Sequence, residues 1–397
     1  STSEKPSKKV KLSVITTLFL VSISSSSIAQ NEPTLNLESA IEYGLKNNYS
    51  IQQAELNIQY QTQLKGTAFE LPKTELGAML GQYNTGKFDQ NYSISQGINP
   101  FQIAAKKQLI DASIKGSEIQ LESHKVRLVY EIRQSWNHLL YLIEFENLLN
   151  VQDSLLQNFV AASTLRFETG DVNNLEKITA ETKLQELQKL KRQNALAIRN
   201  EKLNIRTLLK LETDFTIAEQ PFTVIPSIQV TDSSTLNQNP VLALALENVK
   251  IAMAGLNVEK SMMFPDLKVG YFIQSLTGFQ DVNGQIINYD GTPRFQGVTL
   301  GVSIPIFAGS YMAKNRAAET SVQIHESQAS QLSNELHMQF EQQLQELQLA
   351  RETISYYEKT ALKNAAIISD NANKNYAEGE ISYIEYLQGN QTVLEIN

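Results

Sequence analysis

The fold is decided by a stretch that occurs twice, RFETGDVNNLE at residues 166–176 and NYAEGEISYIE at residues 375–385. The two copies align without a gap and have glycine at the same place, Gly170 in one and Gly379 in the other. A helix–turn–helix reversal needs a residue that tolerates positive φ, and glycine does so at no steric cost. The chain is therefore predicted to contain two repeats.

The segments upstream of the glycine turns also repeat in order. Residues 48–72 and 239–265 each begin with asparagine, have a helical pattern and end at proline. Strand-like sequence follows, ends at Pro100 in the first copy and Pro305 in the second, and gives way to a long helical pattern. Such self-similarity indicates an internal duplication. We predict a first repeat at residues 30–212, a linker or equatorial segment at residues 213–236 and a second repeat at residues 237–397.

The composition excludes several classes of protein. The 397 residues carry a net charge of −8 and include no cysteine and four histidines. Without cysteine the chain has no disulfides, thiolate metal sites, iron–sulfur clusters or thiol nucleophiles, and its acidic balance argues against a nucleic-acid partner. The histidines have no carboxylate or second histidine at a ligand-like spacing along the chain. We predict no catalytic site, no cofactor and no metal site.

The first 29 residues have the pattern of an export signal. Lysines at positions 8, 9 and 11 precede a mostly apolar run at residues 12–23, and Ser27-Ile28-Ala29 has small residues where a signal peptidase cleaves. The run is shorter than the roughly 20 residues of a bilayer span. Cleavage before Gln30 is the prediction and a short membrane anchor is the alternative. Because the chain begins with serine, we expect a fragment or a module that follows another domain.

Four segments alternate apolar and polar residues over membrane-like lengths. They are residues 74–83, 88–98, 266–276 and 295–304. Strands of about 9–11 residues with this alternation suit a transmembrane barrel, with lipid outside and water inside. A half-buried sheet in a soluble domain has the same pattern and is the alternative. Four strands cannot close a barrel, so a barrel requires several chains to share it.

The two long helical patterns are too long for a compact domain. Residues 102–166 and 310–377 would each extend roughly 100 Å if continuous. Their apolar residues form a narrow seam of the kind that coiled coils use. The seam consists of Val129, Ile132, Trp136, Leu139 and Ile143 in the first, and of Leu336, Phe340, Leu344, Leu347, Ile354, Tyr357, Ala361, Ala365 and Ile368 in the second. The polar remainder fits either a solvated face or a wall one helix thick around a hollow tube.

The duplicated layout, the Asn-Pro and Leu-Pro punctuation and the turns Phe167-x-x-Gly170 and Tyr376-x-x-Gly379 resemble the TolC family of outer-membrane efflux channels. The resemblance covers residues 35 to 397. It implies an α+β membrane protein that forms a homotrimer, with four strands per protomer in a twelve-stranded transmembrane β-barrel and long helices in a periplasmic α-barrel. Residues 67–74, 82–84 and 93–96 are similar to channel modules associated with heavy-metal RND pumps, some of which are fused behind the pump.

The same resemblance places the two glycine turns at the periplasmic tips, where the tunnel closes and a periplasmic adaptor docks. The residues that it implies for the tip and the adaptor contact are Arg166, Phe167, Gly170, Asp171, Leu175, Glu176, Tyr376, Gly379, Glu380, Ile384 and Glu385. Tripled by symmetry, Asp171, Glu176, Glu380 and Glu385 would form a negative ring that favours cations if they point inward. Capping glycines without a binding role are the alternative, and both roles are compatible.

These observations predict a passive exit duct in the outer membrane and not an enzyme. It would work with an adaptor and an RND-type inner-membrane pump and would contact outer-membrane lipid. Its cargo would be the substrates of the pump, among which heavy-metal cations are a candidate. A secreted or surface coiled-coil adhesin or scaffold is the alternative, although such a protein has no need for membrane-length strands at matched places in two repeats.

The second repeat is shorter than the first after its glycine turn. Only 18 residues follow Gly379, whereas helical sequence continues for about 41 residues after Gly170. By analogy between the repeats, we expect the complete protein to continue beyond Asn397 with at least another 20 or so amphipathic residues.

Overall fold

The computed structural model describes residues 33–84, 86–170, 172–218 and 233–396. The predicted signal peptide, the predicted tip residue Asp171 and residues 219–232 of the predicted linker lie outside the described residues.

The described chain combines very long helices with one main sheet. The helices are α1 (Leu37–Asn47), α2 (Tyr49–Gln63), α3 (Pro100–Glu168), α4 (Asn174–Leu209), α5 (Pro240–Ser261), α6 (Gly309–Tyr356), α7 (Leu362–Glu378) and α8 (Tyr383–Ile396). The strands are β1 (Thr34–Leu35), β2 (Glu75–Gly81), β3 (Asp89–Ile98), β4 (Thr216–Ile217), β5 (Asp266–Gln274), β6 (Thr277–Val282), β7 (Gln285–Asp290) and β8 (Phe295–Ser303). With 69 residues, α3 extends roughly 100 Å.

Asparagine side chains define where several helices begin. Asn48, Asn99, Asn173 and Asn239 have extended backbone conformations, and each side chain accepts a hydrogen bond from a backbone amide of the first helical turn. These amides have no partner inside the helix, so the caps satisfy them. Asn99 and Asn239 are followed by proline, whose fixed φ suits the first helical position. The Asn-Pro pairs therefore mark the starts of α3 and α5.

The main sheet joins the two segments that the sequence predicts to be repeats. Its strand order is β2-β3-β5-β8, and every neighbouring pair is antiparallel. β2 and β3 come from the first repeat, β5 and β8 come from the second, and the β3–β5 pair connects them with Ile94 opposite Tyr271. Each of the four strands lies within the segment predicted for it.

The two faces of this sheet differ in chemistry. One face exposes large apolar side chains, which are Leu76, Leu80, Tyr92, Ile94, Leu267, Val269, Tyr271, Val298, Leu300 and Val302. The opposite face is mainly glycine, serine, threonine and asparagine. An apolar face left open over ten side chains is far more than the scattered exposed residues of a soluble surface. This face requires a nonaqueous neighbour.

Helix α3 lies at the centre of the helical part, because α1, α2, α4 and α5 all pack against it. The core around Trp136 includes Ile132 and Leu139 of α3 and Ile205 of α4, so the seam predicted for the first long helix is buried at these positions. Helix α5 packs between α3 and α6. By length and composition alone, it is the one helix of the described ranges that could cross a membrane.

The second long helical segment contains one irregular turn. A π-helical turn at Tyr357–Ala361 separates α6 from α7, and its wider turn accommodates one extra residue. The predicted seam is buried only toward its C-terminal end. Ala361 and Ala365 are buried, whereas Leu344 and Ile354 remain exposed in the isolated protomer.

The structure also contains a hairpin that the sequence analysis did not predict. β6 and β7 pair with each other between β5 and β8. Their turn is Asn283-Gly284, and both residues have positive φ (56° and 80°). Asn-Gly in this conformation is typical of a two-residue hairpin turn, so this dipeptide was the available signal.

Candidate functional site

The two glycine turns have the backbone conformation that the sequence predicted. Gly170 follows α3 with a φ of 81°, and Gly379 follows α7 with a φ of 75°. The helices that leave the turns are capped by their own side chains. Asn173 accepts from the amides of Leu175 and Glu176 at the start of α4. At the start of α8 the Ser382 amide donates to a Glu385 oxygen at 2.7 Å, as in a capping box.

Three polar side chains connect the two turns. Arg166 Nη1 donates a hydrogen bond to the Tyr376 hydroxyl at 2.8 Å, and this hydroxyl donates to Glu176 Oε1 at 3.0 Å. Arg166 also lies 3.5 Å from the same Glu176 oxygen. We call Arg166, Glu176 and Tyr376 the tip triad. It joins the end of α3, the start of α4 and the end of α7.

An aromatic cluster packs directly beside the tip triad. The Phe159 ring of α3 is buried and lies 4.9 Å from Tyr383, 5.5 Å from Tyr386 and 6.0 Å from Tyr376, measured between ring centroids. Tyr376 and Tyr386 stack at 4.5 Å. We call these four residues the tip aromatic cluster. Since Tyr383 and Tyr386 belong to α8, which packs against α7, the cluster connects α8 to α3.

Apolar side chains point away from the tip triad at equivalent places in the two repeats. Leu175 is 69% exposed and its counterpart Ile384 is 71% exposed. Phe167 is also exposed at the end of α3, and the Lys177 ammonium lies 5.5 Å from its ring centroid. The tip therefore combines an internally bonded centre with an apolar outer surface.

Of the predicted tip residues that the structure describes, Arg166, Glu176 and Tyr376 are in direct contact, and Glu176 has a basic partner. Its side chain is only 12% exposed and is paired with Arg166 in this protomer, and the negative ring of the trimer stays a prediction. Glu380 and Glu385 are exposed. Three aromatic residues of the site were missed, Phe159, Tyr383 and Tyr386. The three-residue spacing of the two tyrosines on one helix was the signal that could have indicated them.

One histidine has a carboxylate partner that its sequence neighbours did not reveal. His138 Nδ1 of α3 lies 3.1 Å from Glu201 Oε2 of α4, at a cavity of ≈ 660 Å³ that Glu131, Ser135 and Asn204 also line. Burial acts to raise the pKa of Glu201, but hydrogen bonds from His138, Ser135 and Asn204 outweigh it and lower the pKa. Across the described ranges, no group of three or more histidine, aspartate or glutamate residues lies close enough to hold a metal ion.

The tip is expected to loosen at strongly alkaline pH. Burial, followed by the nearby charges of Glu176 and Tyr376, raises the pKa of Tyr383 to about 12, and burial together with Glu176 raises the pKa of Tyr376. Because the folded protein holds these protons more tightly than the unfolded chain, their contribution is fully present below about pH 10 and is lost as the pH rises through 12. Ultraviolet titration of tyrosinate, followed together with backbone hydrogen exchange in α8, measures both events.

In this titration, Tyr383→Phe should remove the ionisation step near pH 12 and leave the steps of exposed tyrosines unchanged. Release of α8 already at pH 8 would contradict the role of these tyrosines in holding α8.

Replacing Gly379 should strain the turn. Gly379→Ala puts a Cβ on a residue with left-handed φ, at a cost of about 1–2 kcal/mol, although no atom lies within 4 Å of the added carbon. The matched control is Gly255→Ala, where space is also open but φ is helical, and which should stabilise α5 by about 0.5–1 kcal/mol. Chemical denaturation of both variants measures the difference, and effects of equal sign would disprove the backbone explanation.

Solved structures of outer-membrane channels share this fold. The outer-membrane channel OprN is 16% identical in sequence and has a TM-score of 0.76, over 91% of this chain and 84% of its own. CusC, whose crystal structures concern folding and transmembrane channel formation, is 18% identical with a TM-score of 0.73. The match covers 94% of this chain and 92% of CusC. The Campylobacter jejuni CmeC outer membrane channel is 16% identical with a TM-score of 0.69, over 98% and 89%. The described chain thus has the fold of outer-membrane channels.

Residues 233–395 match the family model described as outer membrane efflux protein. The match and the channel neighbours confirm the resemblance to TolC-family outer-membrane efflux channels and the outer-membrane localisation predicted with it. No curated protein sequence matches the chain.

Proposed function

We propose that this chain is one protomer of a homotrimeric, passive exit duct of the outer membrane. The observation that carries the proposal is the open apolar face of the main sheet, because strands of 7–10 residues with lipid-compatible side chains on one face suit a bilayer. In the protomer, β2 and β8 are the outer strands of an open sheet. Three such sheets joined edge to edge would make a twelve-stranded barrel with no free edge.

The long helices fit the same assembly. Beyond the sheet they would extend the lumen through the periplasm as a tube one helix thick. The exposed middle of the α6 seam, with Leu344 and Ile354, would pack against a neighbouring protomer. A shared wall of this kind explains why the core around Trp136 is narrow in the described part of the protomer.

The tip would close the tube and receive the adaptor. The tip triad and the tip aromatic cluster hold the α3–α4 and α7–α8 turns together, which corresponds to a closed entrance. The exposed Leu175 and Ile384 offer apolar contacts for a periplasmic adaptor, and the RND-type pump of the inner membrane would supply the energy. Opening then requires the adaptor to favour a state in which the tip triad is broken.

The sequence resemblance to modules of heavy-metal RND pumps makes heavy-metal cations the first cargo to test. A passive duct would take its selectivity largely from the pump and the adaptor. The proposal for cargo is therefore separate from the proposal for the duct, and each has its own readout.

The experiment uses the full chain in outer-membrane fractions and in planar lipid bilayers. We expect a cross-linkable trimer in the outer membrane and single-channel conductance after reconstitution. Co-expression with a cognate pump and adaptor should raise metal tolerance if heavy-metal cations are the cargo. A soluble monomer without conductance would overturn the duct, whereas conductance without metal tolerance would overturn only the cargo.

A further inference from the structure

One pair of long charged side chains crosses the polar face of the main sheet, at the end nearest the long helices. Lys268 of β5 donates a hydrogen bond to Glu75 Oε2 of β2. The Ser95 hydroxyl of the intervening strand β3 donates to the same oxygen at 3.4 Å. The ion pair therefore spans three strands on the face opposite the apolar one.

Glycines on both sides give Lys268 the room to lie across the sheet. It is opposite Gly97 on β3 and Gly301 on β8, and a Cβ on Gly301 would be 3.5 Å from the Lys268 Cβ. The next row on this face begins with Glu75 on the outer strand β2 and continues with Ser95, Gly270 and Thr299. Among these short neighbours, the pair extends farthest from the sheet.

The charges of this face are few. The four strands contain four charged residues, Glu75, Asp89, Asp266 and Lys268. Asp89 is fully buried. Asp266 lies next to the pair, where its Oδ1 accepts a hydrogen bond from Asn99 at 2.7 Å. Lys268 is thus the one cationic residue of the four strands.

We propose that Glu75 and Lys268 set the charge selectivity of the duct where the sheet meets the helices. The inference rests on the proposed function, in which this face lines the lumen and three copies form a ring. While paired, the two charges cancel, and the Asp266 carboxylates supply the net charge at this level. Both side chains are partly exposed, so the pair itself is weak, and removal of one partner presents the other charge to the lumen.

The test measures the cation-to-anion permeability ratio of single channels in a salt gradient. Lys268→Gln should raise the ratio, and Glu75→Gln should lower it. Three unit charges about 10 Å from the axis, screened over a Debye length of about 10 Å, should change the ratio roughly two- to fourfold. The double variant, which removes both charges, should return to the wild-type ratio.

Charge-preserving variants control for altered packing. Lys268→Arg and Glu75→Asp keep both signs and should leave the ratio within the wild-type range, and all variants should form trimers. If both single variants conduct with the cation-to-anion permeability ratio of the wild type, the inference is overturned while the duct remains intact. A wild-type protein that remains a soluble monomer and does not enter the membrane would refute the proposed function and this inference with it.

Discussion

Leu300→Arg is expected to prevent stable insertion of the sheet in the membrane. Leu300 is 81% exposed on the apolar face, near the middle of β8 and opposite Val269 of β5. An arginine facing the middle of a bilayer costs about 2–4 kcal/mol in a transmembrane barrel, and a trimer would carry this cost three times. The measurement is the fraction of chain found as trimer in the outer membrane, together with denaturation in phospholipid vesicles.

The neighbouring residue provides the control for this prediction. Gly301 points to the opposite face and has ordinary contact distance to Lys268 for an added Cβ. Gly301→Ser should therefore insert almost as well as the wild type, because a hydroxyl on the polar face remains in water. If Leu300→Arg and Gly301→Ser are tolerated equally, both faces are in water and the sheet belongs to a soluble domain.

Phe159→Ala is expected to release α8 from the closed tip. Phe159 is 6% exposed and its ring contacts three tyrosines, two of them on α8. Truncating a buried phenylalanine costs about 3–5 kcal/mol, which is a large part of what could hold a helix of 14 residues in place. Hydrogen exchange in α8 should accelerate, and the conductance of the reconstituted channel should rise.

Phe145→Ala is the matched control for the tip. Phe145 lies on the same helix and stacks on Tyr141, also of α3, with centroids 6.0 Å apart. Its truncation should leave hydrogen exchange in α8 and the conductance at wild-type values. An equal effect of the two variants would mean that α3 as a whole had been destabilised, and the tip aromatic cluster would lose its assigned role.

Local features of the fold could be predicted from the sequence because they depend on residues close together in the chain. The alternation that placed β8 reflects the side-chain period of two in a strand, and Asn-Pro at residues 99–100 reflects capping within one helical turn. The positive φ of Gly170 and Gly379 has the same local origin. The π-helical turn at Tyr357–Ala361 could not be predicted, since such a turn has no distinct periodicity of apolar residues.

The site was only partly predictable. The repeated motif indicated which residues lie at the two turns, and the structure places the described ones there. The motif did not indicate that Arg166 would donate a hydrogen bond to Tyr376, which is 210 residues away in the sequence. The motif also did not indicate that Glu176 would pair with Arg166. A carboxylate near a turn has the same sequence pattern whether it is paired or free.

The sequence by itself determined the duplication, the four strands, the long helices and the glycine turns, because each arises from spacing and backbone preference within a few residues. The tertiary structure alone decided which distant segments meet, as in the β3–β5 pair, the tip triad and the ion pair of Glu75 with Lys268. Periodicity shows that a face must be covered but does not identify the partner. That choice depends on side chains brought together from different repeats, where shape and charge are matched only after the chain has folded.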